Sequence, residues 1–479
     1  MKDKLPNIIF IITDQQRYDT INKNGFNNCV TPNLDKLIDN GTNLSNCFVA
    51  GASCAPSRAA LFTGYYPHTT GILSNGVSWK KTWINKLKEK GYETVNIGKM
   101  HTEPMNTHAG FTERYNVENK QRVRNDLGVN KEYLDEWDKF LGINGIFRPN
   151  KSDGSNFPNF KDCIGAFEWD LDEKYHPDIF VGNLAKWWIK RREINKPLFL
   201  QIGFPGPHPP YDPTINFLNR LKNKKFDYLE TTEKEIKNQP TALKNLRNLH
   251  QKEGPDSTFL KLDANKNLRQ AQLHHYHANI TLIDNEIGQI INCLEQKKLL
   301  DDTLIIFTSD HGDCLLEHGL SQKWSGYDQV MRVPMIISNH NKYKKIKNID
   351  NIIQQQDIIS LIFDIANVEI DKTYEINDLV PLFKESKYKD REFVFCENGK
   401  ERHMSDSLMT VARNKDWKLV KFQDEENGQL FDLNNDPLEI DNLWFDRNAQ
   451  KIKSEILNYI FDWRIESQLK TNDIIEEVR

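Results

Sequence analysis

The amino-acid sequence predicts an α/β fold in which helices sandwich a mostly parallel central sheet, followed by a smaller C-terminal α+β domain with an antiparallel sheet. Continuous apolar runs recur between residues 7 and 337, and a strand that helices cover on both faces has this pattern. Amphipathic helical segments separate the runs, which favours a layered sheet with helical crossovers. Beyond about residue 375 the pattern changes to short strands separated by Asn, Asp and Gly, which is typical of antiparallel hairpins.

Five apolar runs are the predicted strands of the central sheet. They are rich in Ile, Val, Leu and Phe, and they are Asn7–Thr13, Thr94–Ile97, Pro197–Ile202, Thr303–Thr308 and Val333–Ile337. The clearest helix lies between Tyr276 and Leu294, where apolar residues recur at steps of three and four and form one stripe. Because the strands alternate with helices, we expect right-handed crossovers between parallel neighbours.

The predicted organisation is a large domain over residues 1–375 and a C-terminal subdomain over residues 376–479. Three strands and a terminal helix are predicted in the second part: Phe393–Glu397, Leu408–Arg413, Trp417–Phe422 and a helix from about Ala449 to Gln468. Two polar, weakly periodic insertions, about 105–172 and 211–267, interrupt the first part. Such insertions either form loops over a site or decorate the surface, and both interpretations stay open.

Charge and composition exclude several classes of partner. The chain has 64 Lys and Arg against 68 Asp and Glu, a formal net charge of -4, whereas a nucleic-acid-binding protein carries a basic excess. The apolar stretch at Ile8–Thr13 is too short for a signal peptide or a membrane span, so we expect a cytoplasmic protein without a membrane partner. Seven cysteines without a CxxC pair predict no disulfide framework. The oligomeric state is left open.

Two predicted strands end in potential metal ligands. Asp14-Gln15 follows the first strand, and Asp310-His311 follows the strand at Thr303–Thr308. Because the carboxyl ends of parallel strands form one edge of a sheet, we expect Asp14 and Asp310 to lie close together. Carboxylate and amide oxygens suit Ca²⁺ or Mg²⁺, while the imidazole of His311 leaves Mn²⁺ or Zn²⁺ open.

The segment Cys54–Arg58 (CAPSR) is the most informative stretch of the chain. Cys54 precedes Pro56 and then a predicted helix from Ser57 to Thr63, and the positive end of a helix dipole favours anions. Arg58 adds a fixed cation that can hold an oxyanion through paired hydrogen bonds. The residues alone therefore indicate a nucleophilic thiolate at Cys54, although a lone cysteine is more often a small buried apolar residue.

Together these segments resemble the type I, formylglycine-dependent sulfatases of the alkaline phosphatase superfamily. The stretch from Cys54 to Gly64 resembles the CxPSR…LxTG signature of that family. Four further motifs lie in the family order: Asp14-Gln15 with Arg17, Gly98-Lys99-Met100-His101, Pro207-His208-Pro209-Pro210, and Ser309-Asp310-His311-Gly312 followed by His318-Gly319 and Lys323. The resemblance spans nearly the whole chain and is weakest in the two insertions. It implies an alkaline-phosphatase-like fold with a catalytic domain over residues 1–375.

The resemblance implies how the nucleophile and its metal are built. A maturation enzyme would oxidise Cys54 to formylglycine, whose hydrate would be both nucleophile and metal ligand. Asp14, Gln15, Asp310 and His311 would complete the site of one divalent cation, with Ca²⁺ expected first and Mg²⁺ or Mn²⁺ as alternatives. Such an ion would polarise the nucleophilic hydroxyl. Asp310 would take the proton of that hydroxyl.

It also implies roles for the cationic residues. Arg58 would orient the hydrate, and Lys99 and Lys323 would bind the sulfate oxygens. His208 would contact the sulfate or protonate the leaving oxygen. His101 would deprotonate the second hydroxyl and so expel sulfate, work that suits a group with a pKa near neutrality.

The implied function is hydrolysis of a small sulfate monoester, a sulfated saccharide or an aryl sulfate. Two departures keep an alternative open, because Gln15 and His311 stand where many family members carry Asp and Asn. Both residues are found in the phosphonate monoester and phosphodiester hydrolases of the same superfamily. A third hypothesis is a non-catalytic glycan-binding relative in which Cys54 stays a thiol. The combination of His101, Lys99 and Lys323 argues against it, since binding alone does not need all three.

Overall fold

The computed structural model describes residues 5–118, 134–149, 162–338, 342–343, 345–384, 387–399, 401 and 407–472. Parts of the first predicted insertion, residues 119–133 and 150–161, therefore lie outside the described residues.

The described residues form fifteen strands and fourteen α-helices. The strands are β1 Asn7–Asp14, β2 Gly41–Leu44, β3 Cys47–Phe48, β4 Glu93–Gly98, β5 Glu113–Asn116, β6 Leu198–Pro207, β7 Thr303–Ser309, β8 Arg332–Val333, β9 Met335–Ser338, β10 Asn348–Ile349, β11 Ile353–Gln354, β12 Val394–Asn398, β13 Met409–Arg413, β14 Trp417–Phe422 and β15 Gln429–Asp432. The helices are α1 Pro32–Asp39, α2 Cys54–Thr63, α3 Pro67–Thr70, α4 Ile84–Glu89, α5 Glu136–Ile143, α6 Pro177–Arg191, α7 Ile215–Arg220, α8 Glu233–Asn238, α9 Thr241–Glu253, α10 Lys266–Gln296, α11 Asp328–Met331, α12 Ile358–Ala366, α13 Val380–Phe383 and α14 Gln450–Thr471.

The large sheet has eight strands in the order β10-β2-β9-β7-β1-β6-β4-β5. Its centre is parallel, since β1 pairs in parallel with both β6 and β7, and β4 pairs in parallel with β5 and β6. Only β9 runs antiparallel to its neighbours in this sheet, β2 and β7, among the segments described. Apolar clusters lie on both faces, with every residue of β1 buried. The predicted mostly parallel sheet between helices is confirmed.

The register of the sheet aligns the ends of its central strands. Thr13 lies opposite Ser309 across the β1–β7 pair, and Asp14 lies opposite Pro207 across the β1–β6 pair. Gly98, the last residue of β4, pairs with Gly203 of β6. The residues that follow β7, β1, β6 and β4 therefore emerge along one edge of the sheet, where open α/β sheets bind their ligands.

The C-terminal part contains the predicted antiparallel sheet, in the order β12-β13-β14-β15, and the predicted terminal helix α14. The helix packs on this sheet through Trp463, whose ring stacks on that of Phe395 with centroids 4.1 Å apart. The predicted domain division at residues 375 and 376 stays a prediction.

Two local features differ from the prediction. The run Val333–Ile337 forms two strands, because β8 joins a small sheet in the order β11-β3-β8 whereas β9 joins the large one. Pro334 stands between them and has no N–H to donate to a ladder. The second insertion carries α7, α8 and α9, which its weak periodicity did not indicate. Within the described segments, no helix combines the length and the apolar character needed to cross a membrane.

Candidate active site

The strand ends bring four of the predicted site residues to one place. Asp14 is the last residue of β1 and Asp310 follows β7, while Lys99 follows β4 and His208 follows β6. Asp14, Lys99 and Asp310 are each at most 1% exposed. The convergence expected from parallel strands is therefore present, and it brings in Lys99 and His208 as well.

Helix α2 supplies the residue at the centre of the site. It begins at Cys54, three residues earlier than the predicted start at Ser57. Pro56 does not prevent this start, because the N–H groups of the first helical turn have no acceptor within the helix. Cys54 and Arg58 are four residues apart and so project from the same face of α2.

The sulfur of Cys54 lies among cationic groups. It is 3.1 Å from His311 Nε2, 3.1 Å from Lys323 Nζ and 3.8 Å from Asp14 Oδ1, and the residue is 1% exposed. Burial alone would raise the pKa of this thiol. The charges of Lys323, His311 and Lys99, with a hydrogen bond to His101, instead bring it well below its usual value. The surroundings of Cys54 thus favour a negative charge at its side-chain position.

Arg58 and Lys99 hold the outer oxygens of the two carboxylates. Arg58 Nε donates to Asp310 Oδ2 at 2.7 Å, and its Nη2 donates to Asp14 Oδ2 at 3.3 Å. Lys99 Nζ lies 2.7 Å from the same oxygen of Asp14. The inner oxygens point the other way, since Oδ1 of Asp14 lies 4.0 Å, and that of Asp310 3.8 Å, from His311 Nε2.

The inner atoms form a group that can hold a metal ion. Donor atoms of Asp14, Cys54, Asp310 and His311 all lie within 4.8 Å of one another, and ligands on opposite sides of a bound Ca²⁺ are about 5 Å apart. His311 Nδ1 donates to Gly312 O at 2.9 Å, so loss of the Nε2 proton gives Nε2 the lone pair that a metal ligand needs. Two carboxylate oxygens, one imidazole nitrogen and one sulfur therefore form a group that fits a divalent cation.

Electrostatics of the donor group are consistent with this fit. Burial raises the pKa of Asp310, an effect that the charge of Asp14 reinforces and that of Arg58 opposes. For His311, burial works against protonation, but Asp310 and Cys54 outweigh it and raise the pKa to about 9. The negative charges of these donor residues therefore attract positive charge, in the form of a proton or a cation.

Lys323 and His101 contact the same sulfur, and His208 contacts Lys323. Lys323 Nζ donates to His208 Nε2 at 3.0 Å, and His208 Nδ1 donates to Pro209 O at 2.8 Å. His101 has a positive φ of 61°, and its backbone N donates to Glu118 Oε2 at 2.8 Å. That bond orients the loop after β4 so that the His101 ring reaches Cys54. Gln15 joins this cluster through its Oε1, which accepts from Lys323 Nζ at 3.3 Å, so every predicted site residue is part of it.

Comparison with known proteins decides the family. The family model described as Sulfatase matches residues 6–368, and the model described as N-sulphoglucosamine sulphohydrolase, C-terminal, matches residues 316–466. The chain belongs to the sulfatase family. This family is part of the alkaline phosphatase superfamily, so the resemblance drawn from the motifs is confirmed, and this sulfatase is an enzyme.

Curated relatives cover nearly the whole sulfatase. An arylsulfatase of Clostridium perfringens is 30% identical over 465 residues, which span 94% of this chain and 92% of the relative. An N-acetylglucosamine-6-O-sulfatase of Bacteroides thetaiotaomicron is 24% identical over 98% of this chain and 88% of its own length.

Solved structures share the fold. A phosphonate monoester hydrolase of Agrobacterium radiobacter superposes with a TM-score of 0.77 at 20% identity, covering 96% of both chains. The structure described as BT4656 in complex with its substrate D-glucosamine-2-N,6-O-disulfate has a TM-score of 0.74 at 22% identity, covering 98% of this chain and 99% of that one. At these identities the likeness shows the fold alone.

Sequence reasoning missed three acidic residues of the sulfatase site. Asp313, directly after the Ser309–Gly312 motif, accepts from Gln15 Nε2 at 2.6 Å. Asp256, in the second insertion, lies 3.7 Å from His208 Nε2. Glu401, in the C-terminal part, accepts from Ser53 Oγ at 2.6 Å, next to Cys54. Only Asp313 had a sequence signal, its position beside a metal motif.

Proposed function

We propose that this sulfatase hydrolyses a small sulfate monoester, with formylglycine made from Cys54 as nucleophile and one divalent cation in the site. The observation that carries the proposal is the position of Cys54 Sγ. It is itself one of the four mutually close donors, and Lys323 donates to it at 3.1 Å. A nucleophilic oxygen at that position would touch the cation site and the sulfate-binding cations together.

The cation would be held by Asp14, Gln15, Asp310, His311 and residue 54. Ca²⁺ suits the oxygen-rich set best, with Mg²⁺ or Mn²⁺ as alternatives. A bound cation supplies positive charge that favours ionisation of a hydroxyl beside it.

The chain's own residues would carry the proton transfers. One hydroxyl of the hydrated formylglycine attacks sulfur and its proton passes to Asp310, whose Oδ2 is fixed by Arg58 Nε at 2.7 Å. The S–O bond to the alcohol breaks, and His208 in its imidazolium form, with Nε2 protonated, donates that proton to the departing oxygen. His101 then takes the proton of the second hydroxyl, which releases sulfate and reforms the aldehyde.

Lys323 and Lys99 would neutralise the sulfate oxygens during attack. Lys323 Nζ already lies between Cys54 Sγ and His208 Nε2, at 3.1 and 3.0 Å. Lys99 is bound to Asp14, so it would share its three N–H donors between that carboxylate and the ester. Preorganised cations in a buried site stabilise developing charge strongly, because little reorganisation is needed.

For the substrate we propose a sulfated saccharide or an aryl sulfate, and for a partner the maturation enzyme that oxidises Cys54. The names of the relatives support this choice, since they include an arylsulfatase and an N-acetylglucosamine-6-O-sulfatase.

Two measurements test the proposal. Mass spectrometry of the peptide containing residue 54, from protein made in its native host, should find the aldehyde or its hydrate; an unmodified thiol there would favour a binding protein. Turnover of 4-nitrophenyl sulfate should exceed that of the matching phenyl phosphonate monoester. Equal or faster phosphonate cleavage would assign the chain to the phosphonate hydrolases instead.

A further inference from the structure

The amide of Gln15 is held at both ends. Its Nε2 donates to Asp313 Oδ2 at 2.6 Å, and its Oε1 accepts from Lys323 Nζ at 3.3 Å. All three residues are buried, at most 2% exposed. The two ends of a Gln amide have nearly the same shape, so neighbouring donors and acceptors decide which end faces which way.

Asp313 is itself fixed as an acceptor. Tyr211 OH donates to Oδ2 at 2.6 Å, and the backbone N of Leu315 donates to Oδ1 at 2.9 Å. Both carboxylate oxygens therefore already receive donors, and the Gln15 end that faces Asp313 must be the NH₂ group.

The backbone of Gln15 is fixed by hydrogen bonds on both sides, so the orientation of its side chain is what remains to be decided. Its φ is 71°, its N donates to Asp310 Oδ1 at 3.0 Å, and its O accepts from Tyr276 OH at 2.7 Å. With the main chain held on both sides, only the side chain of this residue remains free to turn, and its hydrogen bonds decide how the amide faces.

We propose that Asp313 is a positioning residue that turns the Gln15 amide so that its oxygen, and not its nitrogen, faces the cation site. The inference rests on the cation site of the proposed function. An amide turned the other way would present N–H groups to the cation, which repel it and cannot ligate. Asp313 would thus raise cation affinity without touching the cation, as groups that orient metal ligands do.

The experiment uses the full-length protein after chelation and dialysis, titrated with CaCl₂ by calorimetry. In Asp313→Asn, three donors meet a side chain that has only one oxygen. Its NH₂ group must then face another donor, either the backbone N–H of Leu315 or the NH₂ group of Gln15. We expect Ca²⁺ to bind about 10- to 100-fold more weakly. The double variant Gln15→Glu, Asp313→Asn should recover most of the loss, because donor and acceptor are exchanged and either oxygen of Glu can ligate.

Asp284→Asn is the matched control. Asp284 is also buried and accepts from an amide side chain, Asn33 Nδ2 at 2.9 Å, but it bonds to the start of α1 rather than to the donor group. Its Ca²⁺ affinity should match that of the wild type.

Wild-type affinity in Asp313→Asn would overturn the inference. A double variant that binds Ca²⁺ no more tightly than the single variant would also overturn it. So would circular dichroism spectra showing that both variants fail to fold, because Asp313 would then serve packing only. A wild-type protein that binds none of Ca²⁺, Mg²⁺ and Mn²⁺ would overturn the proposed cation site as well, so the two failures are distinguishable.

Discussion

Lys323 Nζ lies 3.1 Å from Cys54 Sγ, although 269 positions separate the two residues in the chain. Both are nearly inaccessible, 2% and 1% exposed. Burial disfavours the charge of Lys323, but Cys54, Asp256 and Asp14 outweigh this and raise its pKa above the usual range. A permanent cation therefore faces the position at which the proposed nucleophile forms.

Arg58→Ala should both unfold the protein more easily and abolish turnover. Arg58 is 0% exposed and bonds to Asp310 and Asp14, so its removal takes the neighbouring guanidinium from two buried carboxylates, of which Asp14 keeps Lys99. We expect a loss of about 3 to 5 kcal/mol in the free energy of unfolding, measured with urea.

Lys23→Ala is the control for Arg58, since it removes an ion pair with Asp39 at 2.8 Å in which both side chains are exposed. Its effect should stay below about 1 kcal/mol. Comparable losses in the two variants would contradict the buried-pair explanation.

Asp256→Asn should slow hydrolysis in a manner that depends on the leaving group. Asp256 Oδ2 lies 3.7 Å from His208 Nε2, where a carboxylate can orient the ring of the proposed acid catalyst. We expect about a tenfold fall in kcat/KM for a sugar or alkyl sulfate. For 4-nitrophenyl sulfate the fall should be smaller, because its leaving group needs less protonation.

The exposed Asp263 of the same insertion offers the matched variant, Asp263→Asn, which should leave both rates unchanged. An equal loss on both substrates in Asp256→Asn would mean that Asp256 does not act through leaving-group protonation.

Glu401→Gln should disturb the start of α2 from the C-terminal part. Glu401 accepts from Ser53 Oγ, Asn75 N and Trp324 Nε1, and an amide cannot accept from all of these donors. We expect a loss of about 1 to 3 kcal/mol in stability, with a fall in kcat because Ser53 precedes Cys54.

Glu425→Gln is matched to Glu401→Gln, because Glu425 accepts from the backbone N of Thr241 and Ala242 at 2.9 and 2.8 Å. It should lose stability but keep kcat. If Glu401→Gln also keeps kcat, the contact with Ser53 is structural only.

Asp328→Asn should make the free energy of unfolding depend less on pH in the acidic range. Burial works to raise the pKa of Asp328, but Lys418 and Arg413 bring it below its usual value. The native state therefore binds a proton less readily than the unfolded chain. The resulting stability is present at neutral pH and is lost as pH falls below about 4 through the folded pKa.

The measurement is the free energy of urea unfolding between pH 3 and pH 7. Asp328→Asn should lose about 3 kcal/mol at pH 7, and the difference from wild type should narrow toward pH 3. Asp462→Asn, an exposed position on α14, should follow the wild-type curve throughout. If the difference in the free energy of unfolding between wild type and Asp328→Asn did not change with pH, the charge of Asp328 would not be what stabilises the native state.

The sequence alone predicted the central sheet and the convergence of Asp14 and Asp310. The run Asn7–Thr13 is apolar at every position from Ile8 to Ile12, and an unbroken apolar pattern requires cover on both faces of the strand. Asp14 and Asp310 come at the ends of two such parallel strands, so they must lie at the same edge of the sheet. The start of α2 was misplaced, because Pro56 was taken to precede the helix although the first turn tolerates it.

Tertiary structure decided the contacts that no local pattern encodes. Asp256 and Glu401 come from an insertion and from the C-terminal part, and loop conformations far apart in sequence bring them to His208 and Ser53. The orientation of the Gln15 amide is likewise invisible in the sequence. It depends on which hydrogen-bonding groups the fold places at each end, and here they are Asp313 and Lys323.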